Sequence, residues 1–122
     1  MSGSHRVLIV EDDEGIRDMI ELALDIEGYE VLTAANGIMA LALLEEERPD
    51  LILLDMRMPG MDGWQFARRY AELPGPKPPI VVVTAARDAS RRAAEIAAQG
   101  YLAKPFGIDE LLEVIDSQLA AR

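Results

Sequence analysis

The stretch Val7-Leu8-Ile9-Val10-Glu11-Asp12-Asp13 decides the fold class, because an unbroken apolar run passes directly into three carboxylates. Leu51-Ile52-Leu53-Leu54-Asp55 repeats the pattern. Runs of this length that do not alternate with polar residues suit strands covered on both faces, as in a parallel sheet. Three more short runs fall at 30–34, 80–84 and 101–103. Val81-Val82-Val83 adds β-branched residues suited to strands. Between the runs lie segments with apolar residues at helical spacing, expected as helices at 14–27, from 36 or 37 up to Glu45, and at 62–72, 89–98 and 108–120. Strands and helices in alternation make βαβ units. The chain therefore reads as α/β: one doubly wound, five-stranded parallel sheet flanked by five helices.

Local signals place the helix ends. Asp13 is suited to cap the first helix, and Gly28 to end it in a left-handed conformation. Ile16, Met19, Ile20, Ala23 and Leu24 recur at helical spacing in that helix. Glu45-Glu46-Glu47 sits at the negative end of the second helix, where fraying and a solvated face are expected. Pro74-Gly75-Pro76-Lys77-Pro78-Pro79 is a stiff connector that cannot be helix. Trp64, beside Asp62-Gly63, is expected to pack beneath the loop after Asp55.

Composition narrows the function. A chain of 122 residues, half of them hydrophobic, suits one domain with a real core. Its net charge of −10 argues against a phosphate-neutralising nucleic-acid surface. With no cysteine, thiol chemistry is excluded. Nothing approaches the roughly 18 apolar residues of a spanning helix, so a cytoplasmic location and no membrane partner are expected. Residues 1–5 read as a flexible leader or expression scar, and 6–122 as the domain. His5, the single histidine, falls in the leader and is a poor catalytic candidate.

In open α/β sheets the C-terminal edge of the strands holds the ligand. Glu11, Asp12 and Asp55 would meet there, and like charges so close call for a cation. A hard divalent ion such as Mg2+ takes oxygen ligands and few carboxylates. Taken alone, acids after strands serve equally well as helix caps. Thr84 and Lys104, after the fourth and fifth strands, add a hydroxyl and an ammonium suited to phosphoryl oxygens. A carboxylate can be the nucleophile in phosphoryl transfer. No Gly-rich loop follows the first strand, so dinucleotide and P-loop readings fail.

Taken in order, Val7 through Asp13, Leu53-Leu54-Asp55-Met56-Arg57-Met58-Pro59-Gly60-Met61-Asp62-Gly63, Val83-Thr84-Ala85 and Tyr101-Leu102-Ala103-Lys104-Pro105-Phe106 resemble the receiver domain of bacterial two-component response regulators. The resemblance implies a flavodoxin-like strand order, 2-1-3-4-5. It implies Asp55 as phosphoacceptor from a histidine kinase or histidine phosphotransfer protein. Mg2+ would be held by Asp12, Asp55 and the Arg57 carbonyl, with Glu11 acting through a bound water. Lys104 and Thr84 would contact the phosphoryl group, Tyr101 would be the aromatic switch, and Pro105 the family's cis proline. Residues of about 89–120 would carry the output surface for an unidentified output protein. The domain would catalyse only its own phosphorylation and dephosphorylation.

Two departures from the family pattern stand out. Arg57 and Ala86 occupy the positions that influence hydrolysis of the phosphoryl group, which leads us to expect slow self-dephosphorylation. The segment from Thr84 to Lys104 is short, so a truncated or shifted fourth helix is expected. Two other readings compete. A phosphatase with an aspartate nucleophile would want a second acid where Arg57 stands, and a pseudo-receiver scaffold would have lost site residues.

Overall fold

Arg6 opens the first strand, and its main chain is fixed at once: its N–H donates to the Asp50 carboxylate at 2.8 Å and its carbonyl accepts from Asp50 N–H at 2.7 Å. The computed structural model describes residues 5–120. Residues 1–4 of the expected leader lie outside the described residues, whereas the His5 carbonyl accepts the Glu30 N–H at 2.9 Å.

The elements alternate as expected: β1 (Arg6–Val10), α1 (Glu14–Ile26), β2 (Glu30–Ala34), α2 (Gly37–Leu44), β3 (Leu51–Asp55), α3 (Gly63–Ala71), β4 (Ile80–Ala85), α4 (Ala89–Glu95), β5 (Gly100–Lys104) and α5 (Ile108–Ala120). All strand pairs are parallel, in the order β2-β1-β3-β4-β5. The central strands are apolar on both faces because both are covered. Leu8, Val10, Ile52, Leu54 and Val82 pack with Ala40, Phe66, Tyr70 and Ala93 of α2, α3 and α4. Val7, Ile9, Leu51, Leu53, Val81 and Val83 pack with Ile20, Leu24, Leu111 and Ile115 of α1 and α5. Burying each such side chain is worth about 1.5–3 kcal/mol, and these two layers hold the strand ends in place.

Caps set the boundaries. Asp13 accepts from Ile16 N–H, Asn36 from Met39 N–H, and Asp62 forms a reciprocal capping box with Gln65. The connector before β4 is anchored where Tyr70 donates its hydroxyl to the Pro78 carbonyl at 2.8 Å. The Lys77 ammonium folds back onto the Leu73 and Gly75 carbonyls.

Two expectations are corrected. α4 ends at Glu95, three residues before the expected 98 and in line with the truncation expected from the short Thr84–Lys104 segment, because Ala97 turns into a left-handed conformation (φ 55°). The acidic run after α2 is solvated at Glu45 and Glu46, as expected, but it is not frayed. The Glu45, Glu46 and Glu47 amides still bond the Ala42 and Leu43 carbonyls, and Glu47 pairs with Arg6 at 2.6 Å. Trp64 packs against the cluster that holds Met56 and Met58 of the loop after Asp55, and its indole N–H also donates to Glu95 of α4 at 2.8 Å.

Candidate functional site

Strand register brings the charged residues together. Val10 lies opposite Leu54, so the next residues, Glu11 and Asp55, emerge side by side at the C-terminal edge. Asp55 lies opposite Val83, which puts Thr84 one step beyond it, and Ala85 lies opposite Lys104. Glu11, Thr84 and Asp55 are buried, only 2 %, 4 % and 5 % exposed, whereas Asp12 faces solvent. A buried acid, hydroxyl and acid at one sheet edge are expensive unless they are compensated.

Part of the compensation is internal. The Lys104 ammonium lies 3.0 Å from Glu11 Oε1 and 3.8 Å from Asp55 Oδ1. Arg57 N–H donates to Asp55 Oδ1 at 3.2 Å, and Asp13 N–H to Glu11 Oε2 at 3.2 Å. The Arg17 guanidinium holds the Glu11 carbonyl at 2.9 Å. The balance is still incomplete at Asp55, whose pKa is pushed up from an ordinary 3.8 to about 7. Burial is the main cause and the Glu11 charge the next; Lys104 and the Arg57 amide pull the other way, and a hydrogen bond with Asp12 adds to the rise. One positive charge among three carboxylates leaves room for another cation.

The donor set fits one. Among the described residues, Glu11, Asp12 and Asp55 offer carboxylate oxygens that all lie within 4.8 Å of one another. Oxygen-only donors, part buried and part open, suit a small hard divalent ion that keeps some of its waters.

The acids open into a cavity of about 670 Å3. Arg57, Thr84, Ala85 and Lys104 line its polar side, and Ile16, Met19, Pro105 and Phe106 form an apolar wall. Sequence reasoning put Ile16 and Met19 simply on an apolar helix face. Their lining role could have been suspected only from their place in the first two turns after Asp13. The Lys104–Pro105 peptide is cis. Tyr101 is 51 % exposed on the edge strand β5. Ala86, expected beside the phosphoryl group, is exposed in the turn after β4 and does not line the cavity, whereas Arg57 does.

Known proteins are similar to this chain in sequence and fold. A family model of the response regulator receiver domain matches residues 7–116. Sporulation initiation phosphotransferase F of Bacillus subtilis (strain 168) is 37% identical over 118 residues, covering 95% of this chain and 94% of the relative. A solved structure from Chloroflexus aurantiacus J-10-fl, described as a response regulator, has a TM-score of 0.88 at 40% identity and covers 96% of this chain and 98% of that one. The receiver domain of the sensor histidine kinase PA1611 from Pseudomonas aeruginosa PAO1 has a TM-score of 0.86 at 33% identity, covering 97% and 99%. That protein was solved with a magnesium ion coordinated in its active-site cleft. The chain spans about half the length (47%) of the mycobacterial response regulator MprA, to which it is 39% identical over 109 residues.

Proposed function

This chain belongs to the response regulator receiver domain family, a signalling domain of two-component systems, and we propose that its Asp55 accepts a phosphoryl group from a phosphohistidine partner. The observation that carries this reading is the buried Asp55 carboxylate with Lys104 at 3.8 Å and two further acids beside it. An Asp55 oxygen attacks phosphorus as the P–N bond to the partner's imidazole breaks, and the imidazole leaves with a proton from solvent. The cavity's open mouth and apolar wall suit a protein donor rather than a free nucleotide.

Asp12, Asp55 and the Arg57 carbonyl would hold Mg2+, with Glu11 reaching it through water; the magnesium of the related PA1611 receiver supports this assignment. When bound, the ion neutralises charge on the transferring group and keeps Asp55 ionised. Lys104 shifts from its acid partners to a phosphoryl oxygen. Thr84, buried at the end of β4, donates its hydroxyl to another. Tyr101 follows Thr84 inward, and the change is passed to the surface of 89–120, where the output protein docks. The partner is a histidine kinase or histidine phosphotransfer protein, and the domain works in the cytoplasm, where such partners present their phosphohistidine. Among the described residues no helix is long and apolar enough to cross a membrane.

Arg57 at the cavity mouth shields the acyl phosphate, and Ala86 positions no water, so self-dephosphorylation is slow. A scaffold-only reading is not favoured, because Glu11, Asp12, Asp55, Thr84 and Lys104 are all present. The test is incubation with a small acyl phosphate donor, with and without Mg2+, followed by intact mass. A phosphate-sized gain that needs Mg2+ and persists for minutes supports the proposal. A folded protein that gains nothing overturns it, and decay within seconds overturns the slow-hydrolysis part.

A further inference from the structure

α4 has little to hold it in shape by itself. It is seven residues long, and among the described residues no side chain caps its N-terminus. Isolated helices of that length are not stable in water. Its last turn closes on Ala97 in the left-handed region, where an alanine is strained. The side chains it buries are only Ala89 and Ala93. Its position must therefore come from contacts with other elements.

Ala93 and the neighbouring Ile96 seat α4 on the core cluster that holds Ile80 and Val82 of β4, and its polar contacts to another helix converge on Trp64. The indole N–H donates to Glu95 Oε1 at 2.8 Å, and the Arg92 guanidinium lies over the indole ring, 5.1 Å from its centroid. Arg92 also forks onto both Glu95 oxygens, at 3.0 and 3.1 Å. Three groups thus close a ring between α3 and α4, each satisfying the other two. The backbone just before Trp64 is fixed. Here Gly63 donates to the carbonyl of Met56, the residue after Asp55, at 3.0 Å. A Cβ on Gly63 would stand 2.7 Å from Met56 Cα, so the backbones touch. The chain Asp55–Met56–Gly63–Trp64 is a short rigid path from the carboxylate to α4.

We propose that Trp64, Arg92 and Glu95 form a latch that holds α4 in the position seen here, and that loading Asp55 works against this latch. The second half rests on the functional reading above; the first half does not. Because coupling is reciprocal, a weakened latch should make a phosphoryl group at Asp55 easier to accommodate.

The experiment uses the full chain, wild type and Glu95→Ala, with Glu95→Gln as a variant that keeps an acceptor for the indole. Glu95 is exposed at the end of a helix, so both variants should fold. Amide hydrogen exchange in residues 89–98, without metal, should rise about tenfold in Glu95→Ala and less in Glu95→Gln, with β1 and β3 unchanged. Beryllofluoride with Mg2+, a tetrahedral stand-in for a phosphoryl group on a carboxylate, should bind Glu95→Ala several-fold more tightly. Fluorescence of Trp64, the single tryptophan, gives the binding curve. Unchanged exchange in 89–98 would overturn the latch. Raised exchange with unchanged beryllofluoride affinity would overturn its opposition to Asp55. If the wild type binds no beryllofluoride, the phosphoacceptor reading fails together with that opposition, and the exchange result still judges the latch.

Discussion

α1 and α4 end in the same pair of backbone hydrogen bonds. In α1, Gly28 N–H reaches the Asp25 carbonyl at 3.0 Å and Tyr29 N–H the Leu24 carbonyl at 3.0 Å. In α4, Ala97 N–H reaches Ala94 at 3.2 Å and Ala98 N–H reaches Ala93 at 2.8 Å. One turn is made by a glycine at φ 92°, the other by an alanine at φ 55°. α1 has thirteen residues and a capping Asp13, whereas α4 has seven and no side-chain cap among the described residues. The difference separates two halves of the domain. In the half that carries the acids, β1, α1 and β3, the helix is long and capped. In the half that carries Thr84, Tyr101 and α4, the helix has neither support, so its place depends on tertiary contacts.

The largest effect comes from breaking the joint between the halves. Gly63→Ala would place a Cβ 2.5 Å from Met56 Sδ and 2.7 Å from Met56 Cα. We expect a loss of about 3 kcal/mol or more by urea unfolding, with the β3–α3 loop displaced. A loss below about 1 kcal/mol would mean that the joint is not rigid.

The next concerns the acid half. Asp55 is raised to about 7 in the folded chain against an ordinary 3.8. The folded state therefore holds a proton that the unfolded state has released, so metal-free stability should fall as pH rises from about 4 to about 7 and level off above. Asp55→Asn should remove that slope and stabilise the metal-free protein at neutral pH by about 1–2 kcal/mol, the site being open at its mouth. Melting temperature against pH for both proteins checks this.

The two helix ends can then be exchanged. Gly28→Ala should cost about 1–2 kcal/mol and Ala97→Gly should gain up to about 1 kcal/mol, both read from unfolding midpoints. Equal and negligible effects would show that the two turns do not differ in strain. The smallest effect is at Tyr29, whose hydroxyl donates to Asp116 of α5 and whose pKa is raised, chiefly by burial and then by that bond. Its contribution is present below the ordinary phenol value near 10 and fades as pH rises past it. Tyr29→Phe should flatten the alkaline loss of stability seen by circular dichroism.

The acid half was also the more legible half in the sequence. Val7 to Val10 and Leu51 to Leu54 are unbroken apolar runs, and Glu11, Asp12 and Asp55 follow them directly, so strand, edge and charge are all written locally. Asp13 and Gly28 are standard cap residues and mark α1. In the other half the strands at 80–84 and 101–103 were legible, but the end of α4 was not. Alanine is the best helix former, so Ala93-Ala94-Glu95-Ile96-Ala97-Ala98 does not itself mark a stop at Glu95, and only the shortness of the Thr84–Lys104 segment hints at truncation. Trp64 and Glu95 are 31 residues apart, and Arg6 and Glu47 41, distances that no periodicity reports. Ala86 was assigned its place from the family resemblance; it is exposed in the turn after β4 and is not part of the cavity's lining.

The central claim is that one acid of the three, Asp55, carries the phosphoryl group. Borohydride reduces an aspartyl phosphate to homoserine, and peptide mass mapping then locates it. After loading with a small acyl phosphate donor and Mg2+, homoserine at position 55 alone is the expected result. Reduction at position 11 or 12, or at no acid of a folded and loaded chain, would contradict it.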